Sequence, residues 1–218
     1  RVAVAIVAAA ALIVRQATTD RARTVRSTAI VAAVFIAAGV GVIFHTQVLE
    51  LLGKSGTLTG RQGIWDAVIH LAQQRPAFGW GWVSYWTPWA EPFKDLIVRG
   101  GVQVMHAHNA WLDVWLQLGI LGLVVFGALV VATLVRSWLM ATDRIVLAPG
   151  SRGSYSWVAL LPLLVLVAQL VQSLAESRIL IEGGWILLIV FAVKTKLGPL
   201  AAEVETAQMG EAGVTAAQ

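Results

Sequence analysis

The segment MHAHNAWLDVWLQLGILG, residues 105–122, contains the side chains whose types and spacing best suit chemistry. Asn109 directly follows His108, and Asp113 comes about one helical turn after Asn109. Either residue can hydrogen-bond the local backbone or fix the tautomer of the imidazole. A histidine held in this way suits general-base work on a hydroxyl group. For His106, the ordinary interpretation is a polar residue at the boundary of an apolar segment.

Four arginines form a second set of candidates, namely Arg61, Arg75, Arg99 and Arg178. Contact with water or with lipid phosphate explains any one of them better than catalysis does. If several converge on one cavity, their guanidinium groups can bind a diphosphate through bidentate, charge-assisted hydrogen bonds. The sequence leaves both interpretations open, so their spatial arrangement decides between them.

Tryptophan is concentrated in the middle of the chain, where seven of the ten lie between Trp65 and Trp115. One explanation is an aromatic belt at the boundary between water and lipid. Trp80 and Trp82 stand among turn residues in WGWVSYWTPW, where flat amphipathic rings can also stack on sugars. We treat these two as candidate sugar-binding residues, with the belt as the alternative.

A metal site is the other chemistry that alternating histidines suggest. A tetrahedral zinc site needs three or four ligands, however, and Glu91, Asp95 and Asp113 have no spacing that favours such a site. We therefore predict that His106 and His108 bind no metal. The chain has no cysteine, which excludes disulfides and thiol catalysis.

The composition indicates a membrane protein. Hydrophobic residues make up 58% of the 218-residue chain and charged residues only 13%. A soluble domain carries about 25% charged residues, so several membrane-spanning helices explain this composition better. The net charge of +4 comes mainly from short arginine-bearing loops, which indicates membrane orientation rather than nucleic-acid binding. We expect membrane lipid as a partner and no nucleic acid.

The predicted fold is an all-α, polytopic transmembrane bundle of about five spans. The five apolar segments are Arg1–Val14, Thr28–Phe44, Leu118–Val135, Tyr155–Ala175 and Ile179–Val193. Because a span needs about 20 residues, the short first segment suggests that the chain is the C-terminal part of a longer protein. Four regions follow: two transmembrane helices in 1–44, a large loop in 45–117, three transmembrane helices in 118–196 and a disordered tail in 197–218.

The basic residues of the short loops predict the orientation. Arginines lie in the connections 15–27 and 136–154, and Lys194 and Lys196 begin the tail. Five crossings put these regions on one side, and the positive-inside rule makes that side cytoplasmic. We therefore predict a multi-pass protein of the cytoplasmic (inner) membrane. Its large loop faces the periplasm or the cell exterior.

The large loop should contain two helices. Thr59 can cap a helix from about Arg61 to Gln74, whose apolar residues share one face at helical spacing. A second, shorter helix from about His108 to Gln117 should lead directly into the third span. The candidate chemical groups would then lie at the mouth of a span.

Two stretches of this loop resemble the Wzy/WaaL superfamily of O-antigen polymerases and O-antigen ligases. TLTGRQGIWDAVIHLAQQRPAFGWGW is similar to the superfamily's Thr-Gly-Arg sequence, apolar helix and Gly-x-Gly turn. In HNAWLDVWLQLGILG, His108 and Asn109 precede Gly119 and Gly122 with the ligase spacing His-(Asn/Ser/Gln)-x9-Gly-x-x-Gly. Arg61 matches the start of an Arg-x3-Leu motif, although tryptophan stands here at the leucine position.

The resemblance implies a GT-C-like membrane glycosyltransferase that uses no cofactor and no metal. Its donor would be a polyprenyl-diphosphate-linked glycan and its acceptor a hydroxyl of a glycan or lipid-glycan, outside the cytoplasmic membrane. The resemblance implies His108 as the general base and Arg61 as a catalytic residue that binds diphosphate. The candidate substrate-binding residues are Asn109, Arg75, Arg99, Trp80, Trp82, Asp113 and Arg178.

Other functions remain as alternatives. A transporter or flippase of lipid-linked glycans could also carry arginines and aromatic residues, but it should contain charged or broken spans near the midplane. A protein O-oligosaccharyltransferase would use the same donor with a different acceptor. A non-catalytic membrane scaffold would not require the His-Asn-x9-Gly-x-x-Gly spacing.

Overall fold

The computed structural model describes residues 2–43, 61–83, 86–96, 98–99, 102–143 and 155–197, which are mainly helical. The helices are α1 (Val2–Arg15), α2 (Asp20–Ile43), α3 (Arg61–Gln74), α4 (Ala110–Thr142), α5 (Leu161–Ser173) and α6 (182–197). Three short 3-10 helices cover Phe93–Asp95, Val158–Leu160 and Arg178–Leu180, and a two-residue antiparallel ladder pairs Val98–Arg99 with Val102–Gln103. The predicted Thr59 cap and the tail beyond residue 197 lie outside the described residues.

The long apolar helix α4 contains a break near its start. Within the described residues, α4 alone is long and apolar enough to cross a membrane, and α1 and the stretch 158–173 are shorter apolar helices. Gly119 interrupts α4 with φ 66° and ψ −165°, a conformation that glycine adopts at little cost. The short helix predicted before the third span is therefore the part of α4 that precedes Gly119.

The loop that follows α3 stabilises this break. Gly79 also has a positive φ of 68°, and a side chain at Gly79 or Gly119 would overlap the backbone of the opposite segment. The backbones consequently approach closely enough to pair the groups that the break leaves without helical partners. The four bonds run from the N–H groups of Trp80, Gly81, Ile120 and Leu121 to the carbonyl oxygens of Leu116, Gln117, Pro76 and Ala77, over 2.8–3.2 Å.

Helix α3 packs one face onto an apolar core that also includes part of the first segment of α4. Ile64, Val68 and Ala72 recur every four residues and are 3%, 0% and 0% exposed, as the helical spacing predicts. This core, which we call the Trp86 core, also contains Trp86, Phe93, Leu96, Ala107 and Leu116. Because Leu116 belongs to α4, the Trp86 core joins α3 to the first segment of the long helix.

Two arginines contact the C-terminal end of α4. Arg15 donates from Nε to the Ala141 carbonyl (2.6 Å) and from Nη2 to the Ser156 carbonyl (2.8 Å). Arg23 pairs with Asp143 at 2.9 Å. The first two predicted arginine-bearing connections thus meet where α4 ends, whereas His108 lies at the opposite end, directly before the N-cap Asn109.

Replacing Gly119 with alanine should destabilise the protein. The positive φ alone costs a residue with a side chain about 1–3 kcal/mol, and the new methyl group would also overlap the backbone of Ala77. Gly127→Ala is the matched control because it lies in the same helix and its side chain would meet nothing within 4 Å. Thermal unfolding in detergent should show a lower Tm for Gly119→Ala only. Equal Tm values for both variants would contradict this role of the break.

Candidate functional site

Asn109 determines where α4 begins. Its side-chain oxygen accepts hydrogen bonds from the backbone N–H groups of Trp111 (3.0 Å) and Leu112 (3.3 Å), as an N-cap does. Its Nδ2 donates to the carbonyl of Leu174 at 3.4 Å, just beyond the end of α5. Asn109 therefore fixes the position of the residue before it, which is His108.

His108 and Arg61 both contact one carboxylate. Nδ1 of His108 lies 3.1 Å from Oε2 of Glu176, and Nη2 of Arg61 lies 3.0 Å from Oε1 of the same side chain. The two residues implied as catalytic are thus brought together by a residue that the sequence analysis did not select. All three side chains are about one-third exposed, at 32%, 33% and 31%. Solvent and a ligand can therefore reach them.

The carboxylate has a chemical consequence for the imidazole. A carboxylate beside Nδ1 favours the tautomer with the proton on Nδ1, which leaves the lone pair on Nε2 available. The same carboxylate stabilises the imidazolium that forms when Nε2 takes a proton. The geometry therefore suits a general base more closely than a solvated surface histidine.

Asp113 is buried next to this pair. It is 2% exposed, and its carboxylate accepts from the backbone N–H of Ala107 (3.1 and 3.2 Å) and from the hydroxyl of Ser177. Ala107 directly precedes His108, and Ser177 directly follows Glu176. Asp113 therefore joins the backbone segment that carries His108 to the segment that carries Glu176. A residue that contacts the substrate must be accessible to solvent, and Asp113 is buried.

His106 supports the backbone of His108. Its Nδ1 accepts from the His108 backbone N–H at 3.1 Å, and the two ring centres are 4.1 Å apart. Burial lowers the pKa of His106, and the positive charge of a protonated His108 lowers it further. A neutral imidazole is the form that can accept at Nδ1, so the lowered pKa and the hydrogen bond are consistent.

The same side chains could hold a metal ion. His106, His108 and Glu176 offer three ligand atoms that lie within 4.8 Å of one another. Two imidazole nitrogens and a carboxylate oxygen form a ligand set that zinc accepts. The salt bridge to Arg61 competes for the carboxylate, since the guanidinium already neutralises it.

The other predicted substrate-binding residues lie in different places. Arg75 follows the 14-residue helix α3 that Arg61 begins, so the two arginines are about 20 Å apart. Arg75 stacks on Trp80 at 4.1 Å, and the Trp80 Nε1 donates to the Leu71 carbonyl at 2.9 Å. Trp82 is 46% exposed and free to contact a ligand or lipid.

Arg99 and Arg178 have separate positions. The backbone of Arg99 belongs to the two-residue ladder, and its side chain lies outside the described residues. Arg178 is exposed and lines a cavity of about 570 Å³ that also touches His106 and Glu176. Of the four candidate arginines, the structure therefore brings Arg61 and Arg178 to the neighbourhood of His108.

This cavity, which we call the Gln169 cavity, lies between the end of α5 and the start of α6. Its lining includes Gln169 and Gln172 of α5, Glu176 after α5, and Glu182, Gly183 and Gly184 at the start of α6. The sequence contained a signal for it that we did not use: Gln169, Gln172 and Glu176 follow at helical spacing within an otherwise apolar stretch. Polar residues on one face of an apolar helix are typical of functional sites.

Comparison with known proteins gives an assignment to a family. The family model described as O-antigen ligase matches residues 1–127, which is more than half of the chain. The exopolysaccharide production protein ExoQ of Rhizobium meliloti (strain 1021) is 31% identical over 80 residues. That match covers 35% of this chain but 18% of ExoQ, so the chain spans only a small part of this relative. No solved structure matches the chain. Because the family model matches more than half of the chain, the protein is a member of the O-antigen ligase family, in the Wzy/WaaL superfamily.

Proposed function

We propose that this protein is part of a membrane glycosyltransferase that transfers a glycan from a polyprenyl-diphosphate carrier to a sugar hydroxyl. The family supports a role in polysaccharide biosynthesis. The observation that carries the specific proposal is the Glu176 carboxylate, which contacts His108 on one oxygen and Arg61 on the other. A base and a cation then lie side by side at the start of the apolar helix α4.

The transfer proceeds by displacement at the anomeric carbon of the donor. Nε2 of His108 removes the proton of the acceptor hydroxyl, and the hydroxyl oxygen bonds to the anomeric carbon. The bond between that carbon and the diphosphate oxygen breaks with inversion, and polyprenyl diphosphate leaves. Glu176 stabilises the imidazolium, and arginine stabilises the charge that develops on the diphosphate.

The arginines divide into two groups in this proposal. Arg61, which contacts the same carboxylate as His108, is assigned to the diphosphate through the guanidinium nitrogens that Glu176 does not occupy. Arg178 is assigned to the substrate at the cavity that it lines. Arg75 and Arg99 are kept as contacts for more distant parts of the substrate. Asp113 is assigned a positioning role because it is buried, and Asn109 positions His108 as the cap of α4.

We also propose the membrane arrangement that the sequence predicts. The chain crosses the cytoplasmic (inner) membrane five times, and residues 45–117 lie outside it. Contacts of Arg15 and Arg23 with the end of α4 support a basic, cytoplasmic end of the bundle. His108 at the other end of α4 would then meet the donor and acceptor at the outer surface.

Two alternatives concern transport and the acceptor. One observation, the broken helix at Gly119, supports a transporter. However, residues 76–81 form hydrogen bonds with the backbone groups at that break. The break therefore acts as a joint between segments instead of an ion or substrate site. The name of the ExoQ relative favours an exopolysaccharide as the product over a glycoprotein, so we place protein O-oligosaccharyltransferase second.

Replacing His108 with alanine should abolish glycan transfer while leaving the protein folded. Loss of a general base costs about a hundredfold to ten-thousandfold in rate. His70→Ala is the matched control because His70 is exposed on α3, away from the site. Transfer is measured with the full-length protein in membranes that contain lipid-linked glycan. Wild-type activity in His108→Ala would contradict the proposal, whatever the expression level.

Metal chelation should leave transfer unchanged. In the proposed reaction, His108 accepts a proton and arginine carries the positive charge, so the ligand set of His106, His108 and Glu176 stays free of metal. Activity measured with and without EDTA, after removal of trace metal, tests this directly. Inactivation by EDTA with recovery on added zinc would make the imidazoles metal ligands and would exclude His108 as the base.

The proposed orientation predicts which new cysteines can be labelled in intact cells. The protein has no native cysteine, so a single substitution gives an unambiguous signal. Gln73→Cys on exposed α3 should react with a membrane-impermeant maleimide, and Thr18→Cys between α1 and α2 should react only after lysis. Where an outer membrane exists, it is first made permeable. The reverse pattern would invert the topology.

A further inference from the structure

We infer that the Gln169 cavity binds a neutral, hydroxyl-rich sugar residue of the acceptor, and that the diphosphate of the donor binds elsewhere. The inference rests on the proposed function because it names the substrate part that one wall of the same site receives. The cavity measures about 570 Å³, within the range of about 300–1,000 Å³ that is usual for small-molecule pockets.

The charges around the cavity disfavour a diphosphate. Glu176 and Glu182 contribute two carboxylates to its lining, whereas Arg178 contributes one guanidinium. Arg61 neutralises Glu176 from outside the lining, and burial lowers the pKa of His106, which disfavours its positively charged form. The charges thus nearly balance, and a diphosphate requires a clear positive excess. A neutral ligand does not require an excess of positive charge.

The hydrogen-bonding groups suit sugar hydroxyls. Carboxylates accept hydrogen bonds from hydroxyls, and side-chain amides both accept and donate. Glu176 and Glu182 supply the carboxylates, and Gln169 and Gln172 supply the amides. Among the described residues, the buried Oε1 of Gln169 has no hydrogen-bond partner, while its Nε2 donates to the Gly184 carbonyl at 3.4 Å. A buried acceptor without a partner is unfavourable. A ligand hydroxyl satisfies it after rotation of the amide.

The backbone at the cavity is also specialised. His108 (φ 50°) and Glu182 (φ 44°) are the two non-glycine residues with positive φ in the described part of the chain. Such conformations are uncommon and concentrate where side chains are held for a ligand. His108 lies beside the cavity, and Glu182 lines it. Gly183 follows Glu182, and a side chain there would meet nothing within 4 Å, so the wall stays open.

The position of the cavity relative to the base completes the argument. Glu176 lines the cavity and contacts Nδ1 of His108, and His106 lines it with its ring centre 4.1 Å from that of His108. A sugar held by Gln169 and Glu182 therefore presents its hydroxyls next to the imidazole. The cavity orients the acceptor, while Arg61, which lies outside the lining, holds the leaving group.

Saturation-transfer NMR on the purified full-length protein tests the inference. The detergent must have no sugar headgroup, and the probes are cellobiose, maltose and lactose, with pyrophosphate as competitor. Gln169→Met should weaken the binding of at least one disaccharide by about five- to tenfold, as expected for a lost hydrogen bond. Gln73→Met on exposed α3 should bind as the wild type does. Pyrophosphate should not displace the sugar.

Three results would overturn the inference: no binding of any disaccharide, unchanged binding in Gln169→Met, or displacement of the sugar by pyrophosphate. If Gln169→Met does not fold by circular dichroism, Gln172→Met replaces it under the same criteria. Sugar binding is measured without donor, so His108→Ala should still bind the disaccharide. An active His108→Ala protein would defeat the proposed mechanism while leaving the sugar site intact.

Discussion

The salt bridges of Glu176 are the interaction on which the rest of the site depends. One carboxylate contacts His108 and Arg61, which are 68 and 115 residues away in the sequence. Without it, the positively charged Arg61 would stand near an imidazole that becomes positive in the proposed proton transfer. The carboxylate separates the two charges and holds the imidazole in one tautomer. The carboxylate thereby allows the imidazole of His108 and the guanidinium of Arg61 to lie close together.

The surrounding fold positions this carboxylate through buried polar contacts. Asp113 joins Ala107 to Ser177, so the segments that carry His108 and Glu176 are fixed to each other before any ligand binds. Asn109 adds a second connection, from the start of α4 to the end of α5. Such preorganisation would reduce the reorganisation that the proposed transfer step requires. Loss of these contacts should therefore act on the site through geometry, not through loss of a reacting group.

Much of the local structure could be predicted, because periodicity and capping are properties of short segments. The bounds of α3, the buried face of Ile64, Val68 and Ala72, and the short helix before Gly119 all follow from spacing. Glu176 could not be selected in this way, because its partners are distant in sequence and a lone glutamate after an apolar helix is unremarkable. The polar spacing of Gln169, Gln172 and Glu176 was the available signal.

The break at Gly119 separates two mechanical parts of one helix. The residues before it are fixed to the Trp86 core by Leu116, and the residues after it form the long apolar segment. Bilayers of different thickness change the tilt of a spanning helix. The hydrogen bonds of Ile120 and Leu121 to Pro76 and Ala77 fix the first residues after the break to the same loop as the residues before it. A change of tilt would therefore act on the Trp86 core as well. The break at Gly119 thus links the geometry of the site to the direction of the apolar segment.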